Sequence, residues 1–141
     1  GELTIDTLRI AKKCGMIYSS NLCDDDRPYW NDLGGETLLE IPIHWANYDL
    51  PYFAFNYHPA FPAGQGRIAG YEGVLNNWKD EFDGCREYGL CYVLQLDPAF
   101  IGGPGRIGIL EELLTEMESC GDVWFATGEE MYRYYEEMKT E

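Results

Sequence analysis

Apolar positions recur along this chain with two periods, and the alternation between them predicts its elements. A three-to-four residue rhythm from about Thr4 to Lys13, with Leu8 and Ile10-Ala11 on one side and Gly15 at the C-cap, predicts a short helix. Met16-Ile-Tyr-Ser-Ser20 then reads as a strand ending in the polar cluster Asn21 to Arg27. The run Thr37-Leu-Leu-Glu-Ile-Pro-Ile-His-Trp45, bounded by Gly34-Gly35, reads as a second strand. Pro42 marks an edge, a bulge or the strand's end, because proline donates nothing to a ladder. From Ala46 to Gly70 no helical period is visible, only a connection rich in Tyr, Phe, Pro and Gly, of a kind that usually serves a function or covers another surface. Leu75, Trp78, Phe82 and Cys85 restore the helical rhythm over Tyr71 to Tyr88, with Gly89 as its stop.

The last third continues with a strand from Leu90 to Leu96, then a helix from about Arg106 to Cys120 with Ile107, Leu110, Leu113, Leu114 and Met117 on one face. Val123 to Ala126 is a continuous apolar run of the kind found in strands covered on both faces. Thr127-Gly-Glu-Glu130 matches a capping box opening a final helix, and the acidic, tyrosine-rich stretch Glu129 to Glu141 reads as a solvated surface helix. The expected fold class is therefore α/β: about four strands with helical, right-handed crossovers, laid out as an open parallel arc. Four strands do not close a barrel, so closure needs further strands from an upstream segment or another chain. Residues 1–141 are read as one partial domain carrying a long aromatic loop at 46–70.

Composition narrows the function classes. At 141 residues with 45% hydrophobic content, the chain suffices for one domain with a real core. Its 25 acidic and 10 basic side chains give a formal charge of −15, which repels phosphate backbones and anionic lipid, so neither nucleic acid nor a membrane is an expected partner. No apolar run approaches the roughly 18 residues that span a bilayer, and Gly1-Glu-Leu-Thr has no signal-peptide character. Thr4 to Ala11 already reads like the middle of a domain, which leaves open a chain that was cut or that depends on something upstream. Cys14, Cys23, Cys85, Cys91 and Cys120 include no C-x-x-C pair and no histidine at zinc-finger spacing, so they read as reduced structural thiols in a cytoplasmic protein.

Candidate chemistry gathers at strand ends. Asp97 follows a predicted strand at the position where α/β folds place reactive groups. His44 and Trp45 end another strand, with Asp49 four residues beyond Trp45. Asp24-Asp25-Asp26 reads either as a carboxylate cluster for a hard cation or as Asx turns. Trp30, Tyr52, Phe53 and Tyr57 read as an apolar platform for a ring-shaped ligand or as cover for a partner subunit, and His58 as a ring packed within the loop. Gly102-Gly-Pro-Gly-Arg106 before a helix resembles a generic anion cradle but lacks the G-K-[ST] ending of a P-loop. No G-x-S-x-G element is present.

Several segments in order resemble the polysaccharide deacetylases, the NodB-homology or carbohydrate esterase 4 group, and especially the branch containing peptidoglycan deacetylase-like proteins and allantoinases. They are Gly15-Met-Ile-Tyr-Ser-Ser20, Asp25-Asp26-Arg27-Pro28-Tyr29, Gly34-Gly-Glu-Thr-Leu-Leu-Glu-Ile-Pro42, Trp45-Ala-Asn-Tyr-Asp49 and Asp97-Pro-Ala-Phe-Ile-Gly-Gly-Pro-Gly-Arg106. The resemblance implies the C-terminal half of a distorted (β/α) barrel that hydrolyses C–N bonds of N-acetyl sugars or of cyclic amides and imides. It also implies a small-molecule substrate, while the open arc and the aromatic loop point to an oligomer completed by an N-terminal half or companion chain. Many members hold a divalent metal, usually zinc, through one aspartate and two histidines in the first half of the domain. Those motifs are absent here, so no metal ligand is expected from this chain, and zinc would come with the missing half. Asp97 stands where the resembled family has a histidine that protonates the leaving amine. An imidazole donates a proton at neutral pH, whereas an ordinary aspartate is already ionised there. Asp97 is thus the candidate catalytic position or, alternatively, a polar strand-end residue that orients another group. Asp26, Trp30, His44, Trp45, Asp49 and Arg106 are the candidate pocket residues. The competing reading is a non-catalytic binding or structural subunit that keeps the fold without the metal triad.

Overall fold

A computed structural model describes residues 3–54 and 69–139. They divide into two compact units, the first built from the described residues of 1–43 and 124–141, the second from those of 44–123.

In the first unit, helix α1 (Ile5–Lys13) opens on a capping box between Thr4 and Thr7, and Leu8 points into a small core with Leu33 and Leu38. Strands β1 (Tyr18–Ser19), β2 (Tyr29–Asp32) and β3 (Thr37–Glu40) form one sheet in the order β1-β3-β2. Tyr18 pairs with Leu39 in parallel, whereas β2 runs antiparallel to β3 with Trp30 opposite Leu39. The turn between β2 and β3 closes through the Leu33 N–H to the Glu36 carbonyl and the Gly34 N–H to the Asp32 carboxylate. The expected strand 37–45 therefore stops at Glu40, just before Pro42, as the missing proline donor requires. Strand β2 was not expected, since Asn31 and Asp32 dilute its apolar signal; the ladder to β3 supplies what its composition lacks.

Glu40 is fully buried at the end of β3. Its Oε1 accepts the N–H groups of Asn21 at 2.6 Å and Leu22 at 2.8 Å, so a carboxylate inside an apolar run ties down the chain leaving β1. Helix α6 (Gly128–Met138) completes this unit, opening on the expected capping box between Thr127 and Glu130.

The second unit is mainly helical. Helix α3 (Tyr71–Tyr88) matches its expected bounds and ends at Gly89, whose φ of 63° is the left-handed conformation that a residue with a Cβ adopts only at a cost. It packs on α5 (Ile107–Ser119), burying Val74, Leu75, Trp78 and Phe82 together with Ile109, Leu113 and Met117. The Lys79 ammonium reaches Glu112 at 3.3 Å and Glu116 at 2.6 Å across that pair. Two short pieces stand within the expected 46–70 connection: a 3-10 turn at Trp45–Asn47 and helix α2 (Leu50–Phe53). Tyr57, His58 and the rest of 55–68 lie outside the described residues.

The four-strand parallel arc is not what these residues build. In 90–96 only Gln95 makes a ladder contact, a parallel bridge to Tyr48, although Tyr92, Leu94 and Leu96 keep the period-two face and pack on the helical core. Residues 123–126 make no ladder among the described residues. The reason is physical: alternation selects which side chains face a core, but a strand exists only where a neighbour accepts its backbone bonds. All five cysteines are free thiols, and no described helix is long and apolar enough to cross a membrane.

Candidate functional site

The expected site residues fall into two sets, one in each unit. His44, Trp45, Asp49, Asp97 and Arg106 belong to the second unit, and Asp26 and Trp30 to the first.

In the second unit the geometry is organised by Asp49, which is fully buried at the start of α2. Its Oδ2 accepts the backbone N–H of Asp97 at 2.9 Å and that of Ile101 at 3.2 Å. The Asp49 N–H donates to the Gln95 carbonyl, and the Gln95 N–H donates to Asn47. A parallel bridge and a carboxylate strap thus hold the end of segment 90–96 against residues 47–49. Burial raises the Asp49 carboxyl above the usual aspartate range, outweighing the two amide donors that pull the other way. Among the described residues Asp49 Oδ1 and both side-chain polar atoms of Asn47 are buried without a hydrogen-bond partner.

Asp97 is half-buried and serves as the N-cap of the short helix α4 (Pro98–Ile101), its Oδ1 accepting the Ala99 N–H at 2.8 Å. Just beyond α4, Gly102 is needed for space. A Cβ on Gly102 would lie 2.4 Å from the Pro98 carbonyl oxygen, and one on Gly103 would lie 2.7 Å from a guanidinium nitrogen of Arg106. Arg106 folds back over Gly103 and places its guanidinium 5.3 Å from the centre of the Phe53 ring. His44 is half-buried, and its carbonyl accepts the Asn47 N–H, while Trp45 is 70% exposed. The Ala46 carbonyl accepts both the Tyr52 hydroxyl and the Trp78 indole N–H, which fixes the 3-10 turn to the helical core.

In the first unit Asp26 is exposed and donates its backbone N–H to the Asp25 carboxylate, which also accepts the Arg27 N–H. The Tyr29 hydroxyl donates to Asp24 at 2.6 Å. Burial, followed by that carboxylate acceptor, pushes the phenol upward. The acidic triplet is thus an Asx turn with a tyrosine strut. Trp30 meets Tyr132 edge to face at 5.8 Å, and the Lys139 ammonium sits 4.3 Å from its ring centre.

One expectation needs correcting. Tyr52 and Phe53 do not stand open as an aromatic platform: Phe53 is in the helical core and Tyr52 is packed edge-on against Trp78. Among the described residues no group of three His, Cys, Asp or Glu is placed to hold a metal ion. Sequence reasoning did not single out Asn47 or Glu40. For Glu40 a signal existed, an acid inside Leu-Leu-Glu-Ile-Pro. Asn47 carried none beyond its place between Trp45 and Asp49.

No protein-family model and no curated protein matches this sequence. Solved structures do. A polysaccharide deacetylase of Mycobacterium smegmatis superposes with a TM-score of 0.89 at 29% identity, over 98% of this chain and 47% of that one. A polysaccharide deacetylase of Pseudomonas aeruginosa PAO1 gives 0.75 at 28% identity, over 92% of this chain and 42% of that one. The allantoinase Puue gives 0.77 at 23% identity, over 96% and 44%. The fold is thus that of the NodB-type polysaccharide deacetylases, as the resemblance implied. The chain spans less than half the length of each of these proteins, so it is a mixed α/β part of such a barrel.

Proposed function

We propose that this chain is the C-terminal half, or a separately encoded subunit, of a cytoplasmic polysaccharide deacetylase-like hydrolase that acts on a non-peptide C–N bond, in a cyclic amide or imide or an N-acetyl group. The observation that carries this reading is the match of nearly the whole chain to less than half of a deacetylase chain. Hydrolysis of such a bond needs a group to activate water, a group to stabilise the oxyanion and a proton for the leaving nitrogen. The chain contributes the end of segment 90–96 held by Asp49, with Asp97 beside it, Arg106 as a cation of the same unit and His44 and Trp45 as pocket wall. The activating group, with any zinc it requires, comes from an N-terminal half or companion chain in an oligomer.

The purified chain with added zinc, assayed on N-acetylglucosamine oligomers and on allantoin, is expected to show no turnover. Robust hydrolysis by the monomer overturns the reading of an incomplete enzyme. A second reading, a non-catalytic subunit, is favoured by the Asp97 side chain being used to cap α4. In the full assembly Asp97→His separates the two: gained activity marks a decayed site, and lost activity marks an aspartate adapted to the chemistry.

A further inference from the structure

Asn47 and Asp49 are 1% and 0% exposed, and Asn47 Nδ2, Asn47 Oδ1 and Asp49 Oδ1 find no hydrogen-bond partner among the described residues. Roughly nine in ten or more of the buried polar groups in native proteins are paired, so three unpaired atoms on two neighbouring side chains call for a shared partner. Tyr48 between them is extended, with φ −126° and ψ 134°, and bridges to Gln95. Side chains two apart on extended backbone share a face, so those of Asn47 and Asp49 both lie opposite that of Tyr48. The backbone fixes them there: the Asn47 carbonyl accepts the Gln95 N–H at 2.8 Å, and the Asp49 N–H donates to the Gln95 carbonyl at 3.2 Å. Asp49 Oδ2 is already taken by the amides of Asp97 and Ile101, which leaves Oδ1 facing its own partner.

The chemistry of the three atoms selects that partner. Two of them accept and one donates. A cation would meet the Asn47 N–H, and an anion would meet two oxygens. A direct bond between the two side chains would leave one atom of the Asn47 amide unpaired. Water both accepts and donates twice. On the edge of the Asn47 carboxamide where an N–H lies beside the oxygen, one water accepts from Nδ2 and donates to Oδ1, and its second proton goes to Asp49 Oδ1. The near-complete burial of both residues admits nothing larger.

We propose that Asn47 and Asp49 together bind one ordered water, which joins the 3-10 turn to the carboxylate holding Asp97 and Ile101. Its three hydrogen bonds are the usual number for a buried water. The Asp49 carboxylate is then braced on both oxygens, by backbone amides on Oδ2 and by the water on Oδ1. Asn47 thereby governs how firmly the end of segment 90–96 and the first turn of α4 are held. The site stands whether or not the chain belongs to a hydrolase.

The test uses the purified 141-residue chain. In NMR spectra the Asn47 side-chain amide protons are expected to show cross-peaks to water with NOE and ROE of opposite sign, the signature of a water that stays bound longer than the protein takes to tumble. A high-resolution crystal structure is expected to show one solvent peak about 2.7–3.2 Å from all three atoms. Asn47→Leu keeps the volume and removes the polar atoms; it should lose that peak and speed amide exchange at Asp97 and Ile101 about tenfold, as for one lost hydrogen bond. Absence of the water cross-peaks, a protein group in place of the solvent peak, or unchanged exchange at Asp97 and Ile101 in Asn47→Leu overturns the inference. If that variant does not fold, the wild-type spectra and density decide it alone.

Discussion

Asp49 puts one carboxylate oxygen to work on two backbone amides while the whole side chain is out of water. Removing it strands both N–H groups, and each unsatisfied buried donor costs on the order of 1–3 kcal/mol. Asp49→Ala is therefore expected to destabilise the second unit by about 2–4 kcal/mol in urea unfolding, with Asp49→Asn costing less because its amide oxygen still accepts. The carboxyl's pKa is raised in the folded chain, chiefly by burial. The folded state thus binds the proton more tightly than the unfolded one, so this group's stabilising contribution is complete below the ordinary aspartate pKa and is lost as pH rises through the raised value. Stability of the wild type relative to Asp49→Asn should fall as pH increases from about 4. A difference that rises instead would refute the assignment. Asp49 was legible as a pocket candidate from its place after Trp45, but its role as a strap was not, because its partners are amides 48 and 52 residues further along the chain.

Helices were the most legible elements, and their termini explain why. The Thr127 hydroxyl accepts the Glu130 N–H while the Glu130 carboxylate accepts the Thr127 N–H at 2.7 Å, all within four residues. The Thr127 N–H and hydroxyl, both donating to the Glu130 carboxylate, hold it below its usual range, so their stabilisation is present above the unfolded glutamate pKa and disappears as pH falls through the depressed one. Thr127→Ala should cost about 1 kcal/mol of local helix stability, read as faster amide exchange in the first turn of α6. Gly89→Ala should cost about 1–2 kcal/mol at the end of α3, because the left-handed backbone there crowds a Cβ. Unchanged unfolding in both variants would contradict the cap assignments. Strands were read less well. Tyr92, Leu94 and Leu96 alternate as a strand should, yet their ladder depends on a neighbour that no local pattern encodes, and β2 exists because β3 stands beside it.

At the scale of the molecule, 25 acidic residues against 10 basic ones make self-repulsion a whole-chain property. Exposed charges are screened within about 10 Å at 0.1 M salt, so raising the salt from about 0.02 to about 0.2 M at neutral pH should raise the Tm. A falling Tm would show that exposed pairs such as Arg86 with Asp122 outweigh the repulsion. The resemblance carried by ordered motifs from Gly15 to Arg106 is matched by the fold, with TM-scores of 0.75 to 0.89. What the sequence determined by itself was local: helices α1, α3, α5 and α6, their caps, the acidic charge and the order of the motifs. These follow from contacts a few residues apart and from composition. What only the tertiary structure decided was which segments find ladder partners, that Glu40 and Asp49 are buried straps, that Phe53 belongs to a core, and that Trp124 and Phe125 stand open. Each depends on atoms brought together from distant positions, and period and propensity carry no record of those meetings.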